Sequence, residues 1–156
     1  MDVIKSHKDL AVWQKSIALA GKVYAATRML PSEERPGLHR QLRRAAVCVA
    51  SSIAEGSARG SRAEFLQFLH VAQGALSEVE TQMMIAIDQG FIENSASPIG
   101  EIAEVGRLLN GLIRSLASAS RTAHAKACSH HQANPTRVTA PPHDHSQQVN
   151  HSQQPR

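Results

Sequence analysis

Aromatic residues are scarce in this chain: one Trp, one Tyr and three Phe make up 3% of 156 residues. Sheet cores draw heavily on aromatic and β-branched side chains. A core that must be filled by Leu, Ile, Val, Met and Ala therefore points to close-packed helices. Cysteine is rare too. Cys48 lies in an apolar segment and Cys128 in a polar one, which excludes a disulfide framework and suits a reducing cytoplasm. No run approaches the ~18 uncharged apolar residues that cross a bilayer, and MDVIKSHKDL at the N-terminus has no apolar signal core. The expectation is an unexported, cytoplasmic protein with no membrane partner. Also missing are a Gly-rich phosphate loop, a carboxylate–histidine helix motif and a Ser-His-Asp order. No catalytic residue and no cofactor is assigned, and the chain reads as a non-enzyme.

What is present fits one domain. The hydrophobic fraction of 42% supplies a core of ordinary size for this length. The formal charge of +4 is unevenly spread: residues 1–120 hold 13 Lys/Arg and 12 Asp/Glu, whereas residues 121–156 hold 4 and 1. Most of the excess sits near the C-terminus, where His, Gln, Ser, Asn and Pro dominate and apolar periodicity ends. A bundle over residues 1–122 and a disordered polar tail over residues 123–156 are expected.

Apolar spacing predicts four helices. The first spans residues 9–30, with Leu10, Trp13, Ile17, Ala20 and Tyr24 as its buried stripe, Asp9 at its start and Pro31 at its end. The turn PSEERPG delivers the second, which Gly56 closes as a C-cap. Ser61-Arg62-Ala63-Glu64 is a capping box opening the third, which runs through Phe65, Phe68, Leu69, Ala72, Leu76, Val79, Met83 and Ile87 to a stop at Gly90. Ser97 as N-cap and Pro98 at the first helical position open the fourth. It carries Ile99, Ile102, Val105, Leu109, Leu112 and Leu116 and ends near Ser120. Short connections between successive helices give an all-α, antiparallel up-down-up-down four-helix bundle.

The second helix is apolar or small on nearly every side. Leu38, Leu42, Ala45, Ala46, Val49 and Ile53 fall within a sector of about 80° on a helical wheel, the core stripe of a bundle helix. The opposite sector holds Arg40, Arg44, Val47, Cys48, Ser51 and Glu55. A solvated face is normally richer in charge, so Arg44, Val47, Cys48, Ser51 and Glu55 are candidates for a subunit interface. Glu55 lies three turns from Arg44, so the two would pair only across a subunit boundary. An Ala-rich helix with a mild surface is the competing reading.

Arg40, Arg43, Arg44, Arg59 and Arg62 cluster within 23 residues and are candidates for nucleic-acid contact. Arg40 and Arg44, four apart, share a face and suit one phosphate. Arg59 and Arg62 bracket a helix N-terminus where amides also face outward. Surface salt bridges and a solvated loop are the alternatives. Cys128, His130, His131, His143, His145 and His151 lack the paired spacing of a structural zinc site, and no metal site is assigned. His39 and His70 are lone helical histidines of the kind that usually cap or face solvent.

The segments VWQK (residues 12–15), QLRRAA (41–46), IAEG (53–56) and EFLQFLHVAQGALSEVETQ (64–82) occur in that order. Over residues 8–120 the chain resembles the four-helix-bundle proteins encoded by intervening sequences in bacterial 23S rRNA genes. That family is similar to the accessory variability determinants of diversity-generating retroelements, basic bundles that partner a reverse transcriptase and nucleic acid. The resemblance implies a homo-oligomer, a ring-like pentamer, with ribosomal or other structured RNA or a reverse transcriptase as partner. A purely structural scaffold with no nucleic-acid role is the alternative. Pro36 stands where the family usually has an aromatic, and Cys48 where Ser is common.

Overall fold

The computed structural model describes residues 6–131, with side chains described through residue 118. Four α-helices account for most of it: α1 (Ala11–Ala26), α2 (Arg40–Ala58), α3 (Arg62–Asp88) and α4 (Ile99–His131). Each helix packs on the next, and α1 closes the ring against α4. Polar pairs fix the antiparallel register. Arg43 reaches Tyr24 and Thr27 at the far end of α1, and Gln82 of α3 donates to Gln41 of α2 at 3.3 Å. Gln73 of α3 donates to Asn110 of α4 at 2.7 Å, while Lys15 and Lys22 of α1 pair with Glu104 and Glu101 of α4. The core is the expected aliphatic one, centred on Leu19, Val23, Leu42, Val49, Ile53, Leu69, Val79, Met83, Ile102, Val105 and Leu109.

α1 is rotated from the expected stripe. Its buried face is Val12, Ser16, Leu19, Val23 and Ala26, whereas Ile17 and Tyr24 are 48% and 40% exposed. Both stripes have helical spacing, and the buried one contains a serine that a hydropathy pattern discounts. Ser16 is satisfied there because its hydroxyl donates to the Val12 carbonyl one turn back, at 2.7 Å. Tyr24 on the outside gives Arg43 an aromatic face to lie over. α1 is also shorter than expected. Asp9 belongs to a preceding 3₁₀ turn, where it completes a capping box with Ser6.

Two helix ends follow the sequence signals closely. The Ser61 hydroxyl accepts from the Glu64 amide at 3.2 Å, although Ser61 donates to the Glu64 carboxylate through its hydroxyl, at 2.8 Å, and not through its amide. Gly90 ends α3 with φ of 70°. Its amide donates to the Ile87 carbonyl and the Phe91 amide to the Ala86 carbonyl, both at 2.9 Å, the paired bonds of a Schellman stop that only glycine adopts without strain.

Three other ends differ. α2 runs through Gly56 to Ala58, and Gly56 is buried inside it. A Cβ there would sit 2.5 Å from the Phe68 Cβ, so this glycine serves close approach of α2 and α3. Ser97 does not cap α4; its hydroxyl donates back to the Asn94 carbonyl at 2.7 Å, and the helix begins after Pro98. α4 continues past Ser120 to His131, in a segment whose three alanines favour helix without an apolar stripe. Residues 132–156, the remainder of the expected tail, lie outside the described residues.

The α1–α4 seam yields a pH prediction. The hydrogen bond from Lys22, then that from its own backbone amide, hold the Glu101 carboxyl below its ordinary value of 4.5. A carboxyl depressed in the folded state contributes stability above its unfolded pKa and loses it as pH falls through the lowered folded value. Lys22→Met is expected to lower the thermal midpoint at pH 7 by the equivalent of less than about 1 kcal/mol, since the pair is exposed. The difference from the parent should close in the acid range below 4.5. A difference that persists there would assign the loss to packing of the Lys22 stem.

Candidate nucleic-acid interface

The connection between α1 and α2, residues 27–39, is irregular, and it folds the end of one helix against the start of the other. Two 3₁₀ turns, Thr27–Met29 and Ser32–Glu34, lead into a distorted turn over Arg35–His39. Gly37 departs there from helical geometry, and the Glu34 carboxylate accepts from the Leu38 amide at 3.3 Å. The Pro36 position thus sits in a wide turn that does not continue regular α-helix. Along the outside of this junction lies an open groove of about 920 Å³.

Five arginines line that groove: Arg28 from the 3₁₀ turn after α1, Arg35 from the distorted turn, and Arg40, Arg43 and Arg44 from the start of α2. His39, Tyr24 and Val47 also line it, and no carboxylate does. Arg43 is the most constrained. Its Nε donates to the Thr27 hydroxyl at 2.9 Å, its terminal nitrogen to the Tyr24 carbonyl at 3.3 Å, and it lies 4.5 Å from the Tyr24 ring centroid. Arg44 is exposed and sits 3.9 Å from Glu78 of α3, a contact too long and too solvated to neutralise it. The pKa of His39 is lowered by burial first and then by the Arg43 and Arg35 charges beside it. The groove therefore sets an imidazole whose protonation is disfavoured among fixed positive charges.

The five arginines proposed from sequence thus divide into two sites. Arg40, Arg43 and Arg44 come together, whereas Arg59 and Arg62 lie beyond the opposite end of α2, with Arg59 15 to 19 residues away and so roughly 22 to 28 Å along the helix at 1.5 Å per residue. Arg59 is engaged locally, with Glu55 at 2.7 Å and the Phe68 ring at 5.2 Å. Arg28, Arg35 and His39 were not among the sequence candidates. A usable signal existed, because basic residues on either side of a tight interhelical turn are brought together whenever the two helices pack antiparallel.

The interface candidates are also sorted by the structure. Val47 is 45% exposed and Ser51 is exposed on the same outer face. Cys48 turns partly inward, packing against the core with its Sγ 3.7 Å from the Ser52 hydroxyl. Glu55 has its partner inside the chain, one turn away at Arg59, so it does not require Arg44 of another subunit. The α2–α3 register set by Gln41–Gln82 and Arg44–Glu78 places Ser51 level with Val71, itself 52% exposed. Val47, Ser51 and Val71 thus form an outward, weakly polar face. Among the described residues no three His, Cys, Asp or Glu side chains converge on a metal-sized site, and no helix is long and apolar enough to cross a membrane. Cys128, His130, His131, His143, His145 and His151 fall outside the residues whose side chains are described.

Helices and groove together define a four-helix-bundle protein with a basic surface cleft at one end. The chain belongs to the 23S rRNA-intervening sequence protein family, whose sequence profile matches residues 8–111. Among solved structures it is similar to a protein of unknown function from the S23 ribosomal protein family of Bacteroides thetaiotaomicron. The likeness has a TM-score of 0.61 at 24% identity, over 66% of this chain and 98% of that one. At that identity the likeness bears on the fold alone. No curated protein matches the chain.

Proposed function

We propose that this chain is a non-enzymatic, homo-oligomeric helical bundle of the cytoplasm that binds structured RNA, ribosomal RNA foremost, through the groove at the α1–α2 junction. The observation that carries the reading is the convergence of five arginines on one groove with no lining carboxylate. Guanidinium forks match phosphate oxygens, and the long, exposed Arg44–Glu78 contact leaves most of the cluster's charge uncompensated. The names of the matching family and of the similar structure, which refer to 23S rRNA and to a ribosomal protein, agree with it. No catalytic role is proposed. The Thr27 hydroxyl in the groove donates to the Tyr24 carbonyl and that of Ser32 to Glu33, so neither is paired with His39 as a nucleophile would be.

Binding to a ribosomal RNA fragment should weaken with salt by about 0.7 to 0.9 log units per phosphate contact for each decade of concentration. Absent or salt-insensitive binding would leave a protein-only scaffold, or a partner of a reverse transcriptase, as the function.

Assembly is the second part of the proposal. The outward face of Val47, Ser51 and Val71 supports burial against another copy, and the family resemblance sets the expected number at five. Light scattering on the full chain should give a discrete multimer. Val47→Glu with Ser51→Glu should dissociate it while helicity is kept, because neither side chain enters the core. A monodisperse parent monomer at micromolar concentration would refute assembly. Val47 and Arg44 line the groove as well, so a subunit seated on this face would form one of its walls.

A further inference from the structure

We propose that the α1–α2 groove is a site for a phosphomonoester, the dianionic phosphate at the end of a nucleic-acid strand or on a free nucleotide, held by Arg28, Arg35, Arg40 and Arg43. This deepens the RNA reading and rests on it for the strand-end case. The argument begins with the shape of the charge. Internal phosphates of a strand are monoanions strung out along it, and proteins that follow them carry their cations in a stripe. Here the cations converge. Arg40, Arg43 and Arg44 lie within about 6 Å of helix rise, and Arg28 and Arg35 are folded against them by the turn. The remaining arginines proposed from sequence lie at the other end of α2, so the described surface does not continue the cluster as a track along that helix. A compact group of guanidiniums interacts more strongly with two charges on one phosphorus than with one, and each planar fork addresses two oxygens at once.

His39 supplies a second, separate feature of the same site. The charged and titratable groups around it are Tyr24 from α1, Arg28 from the 3₁₀ turn that follows it, Glu34 and Arg35 from the rest of the connection, and Arg40, Arg43 and Arg44 from α2. From α3, Glu78 reaches this set through Arg44. Burial first, then the Arg43 and Arg35 charges, lower the affinity of this imidazole for a proton. A phosphate dianion placed among these arginines reverses the local potential, so the imidazole gains a proton on binding and adds a donor to the anion. Binding and proton uptake are then linked. Affinity rises as pH falls from 8 toward about 6.5 and declines below about 6, where about half of the phosphomonoester has lost its second charge.

The test compares two short single-stranded oligoribonucleotides of one sequence, one with a 5′-phosphate and one with a 5′-hydroxyl, binding to the full chain at low salt. The phosphorylated strand should bind roughly fivefold more tightly, the effect of about one extra charge contact, and a nucleoside 5′-monophosphate should compete for the difference. His39→Gln should keep the preference at pH 8 but lose its increase toward pH 6.5, and Arg35→Ala should reduce the preference at both. Far-ultraviolet circular dichroism checks that both variants keep the parent helicity. Equal affinity for the two strands, with steep salt dependence for both, overturns the monoester site and leaves the RNA-binding groove standing. If neither strand binds, the His39 imidazole resonance decides. A shift to higher pKa on adding millimolar nucleoside monophosphate keeps the site, with free nucleotide as its source, and removes the RNA reading. An unmoved resonance removes both.

Discussion

Gly56→Ala is expected to destabilise the bundle by about 2 kcal/mol, although the same change in most helix interiors is stabilising. Alanine gains about 1 kcal/mol of helix propensity over glycine. Against that, a Cβ at Gly56 would lie 2.5 Å from the Phe68 Cβ and 2.9 Å from the Phe65 ring. The nearer atom is fixed to the α3 backbone and cannot move aside by rotating a side chain. The helices must separate, and overpacking of this kind costs typically 1–3 kcal/mol and occasionally more. Set against the propensity gain, a cost at or above the upper end leaves a net loss near 2 kcal/mol, a fall in thermal midpoint of roughly 8 °C for a domain of this size. Gly21→Ala is the control. Gly21 is exposed within α1 and has nothing within 4 Å of its would-be Cβ, so the same substitution there should raise the midpoint by the equivalent of about 0.5–1 kcal/mol. Shifts of the same sign in both variants would show that close approach of α2 and α3 is not what Gly56 provides.

The second large effect concerns which arginines meet RNA. Arg35→Ala with Arg40→Ala should weaken binding of a ribosomal RNA fragment roughly 25- to 60-fold near 0.1 M salt. The estimate takes two phosphate contacts, each contributing 0.7 to 0.9 log units per decade of salt, with 1 M as the reference. The salt slope itself should fall by nearly two contacts' worth. Arg59→Ala with Arg62→Ala should change little, because these residues lie at the other end of α2 and Arg59 already pairs with Glu55. Arg43 is unsuitable for this comparison: its bonds to Thr27 and Tyr24 join α1 to α2, so its loss mixes binding with stability. Equal losses from the two double variants would mean that RNA spans the whole length of α2 and is not held at the junction.

The sequence by itself determined the number and order of the helices and most of the core. Near absence of aromatics removed the sheet alternatives, and strict spacing of Leu, Ile, Val and Ala in α2, α3 and α4 left one buried face for each. Local chemistry also settled two ends, because the Ser61 cap and the Gly90 stop depend on atoms only three or four residues away. α1 was less legible. Two apolar stripes compete in it, and the choice rests on whether Ser16 can be satisfied inside and whether Tyr24 is needed outside by Arg43, both settled by packing against other helices. Gly56 carried the same ambiguity. A glycine near a helix end reads as a cap until the distance to Phe68 is known. The groove took its form from the packing of α1 against α2, to which basic residues on both sides of their connection were the one pointer in the sequence. Proximity along α2 linked Arg40 to Arg59 and Arg62, yet a helix carries such residues about 1.5 Å further apart with every position. The connection between α1 and α2 instead brings Arg28 and Arg35, which lie outside both helices, onto Arg40, Arg43 and Arg44.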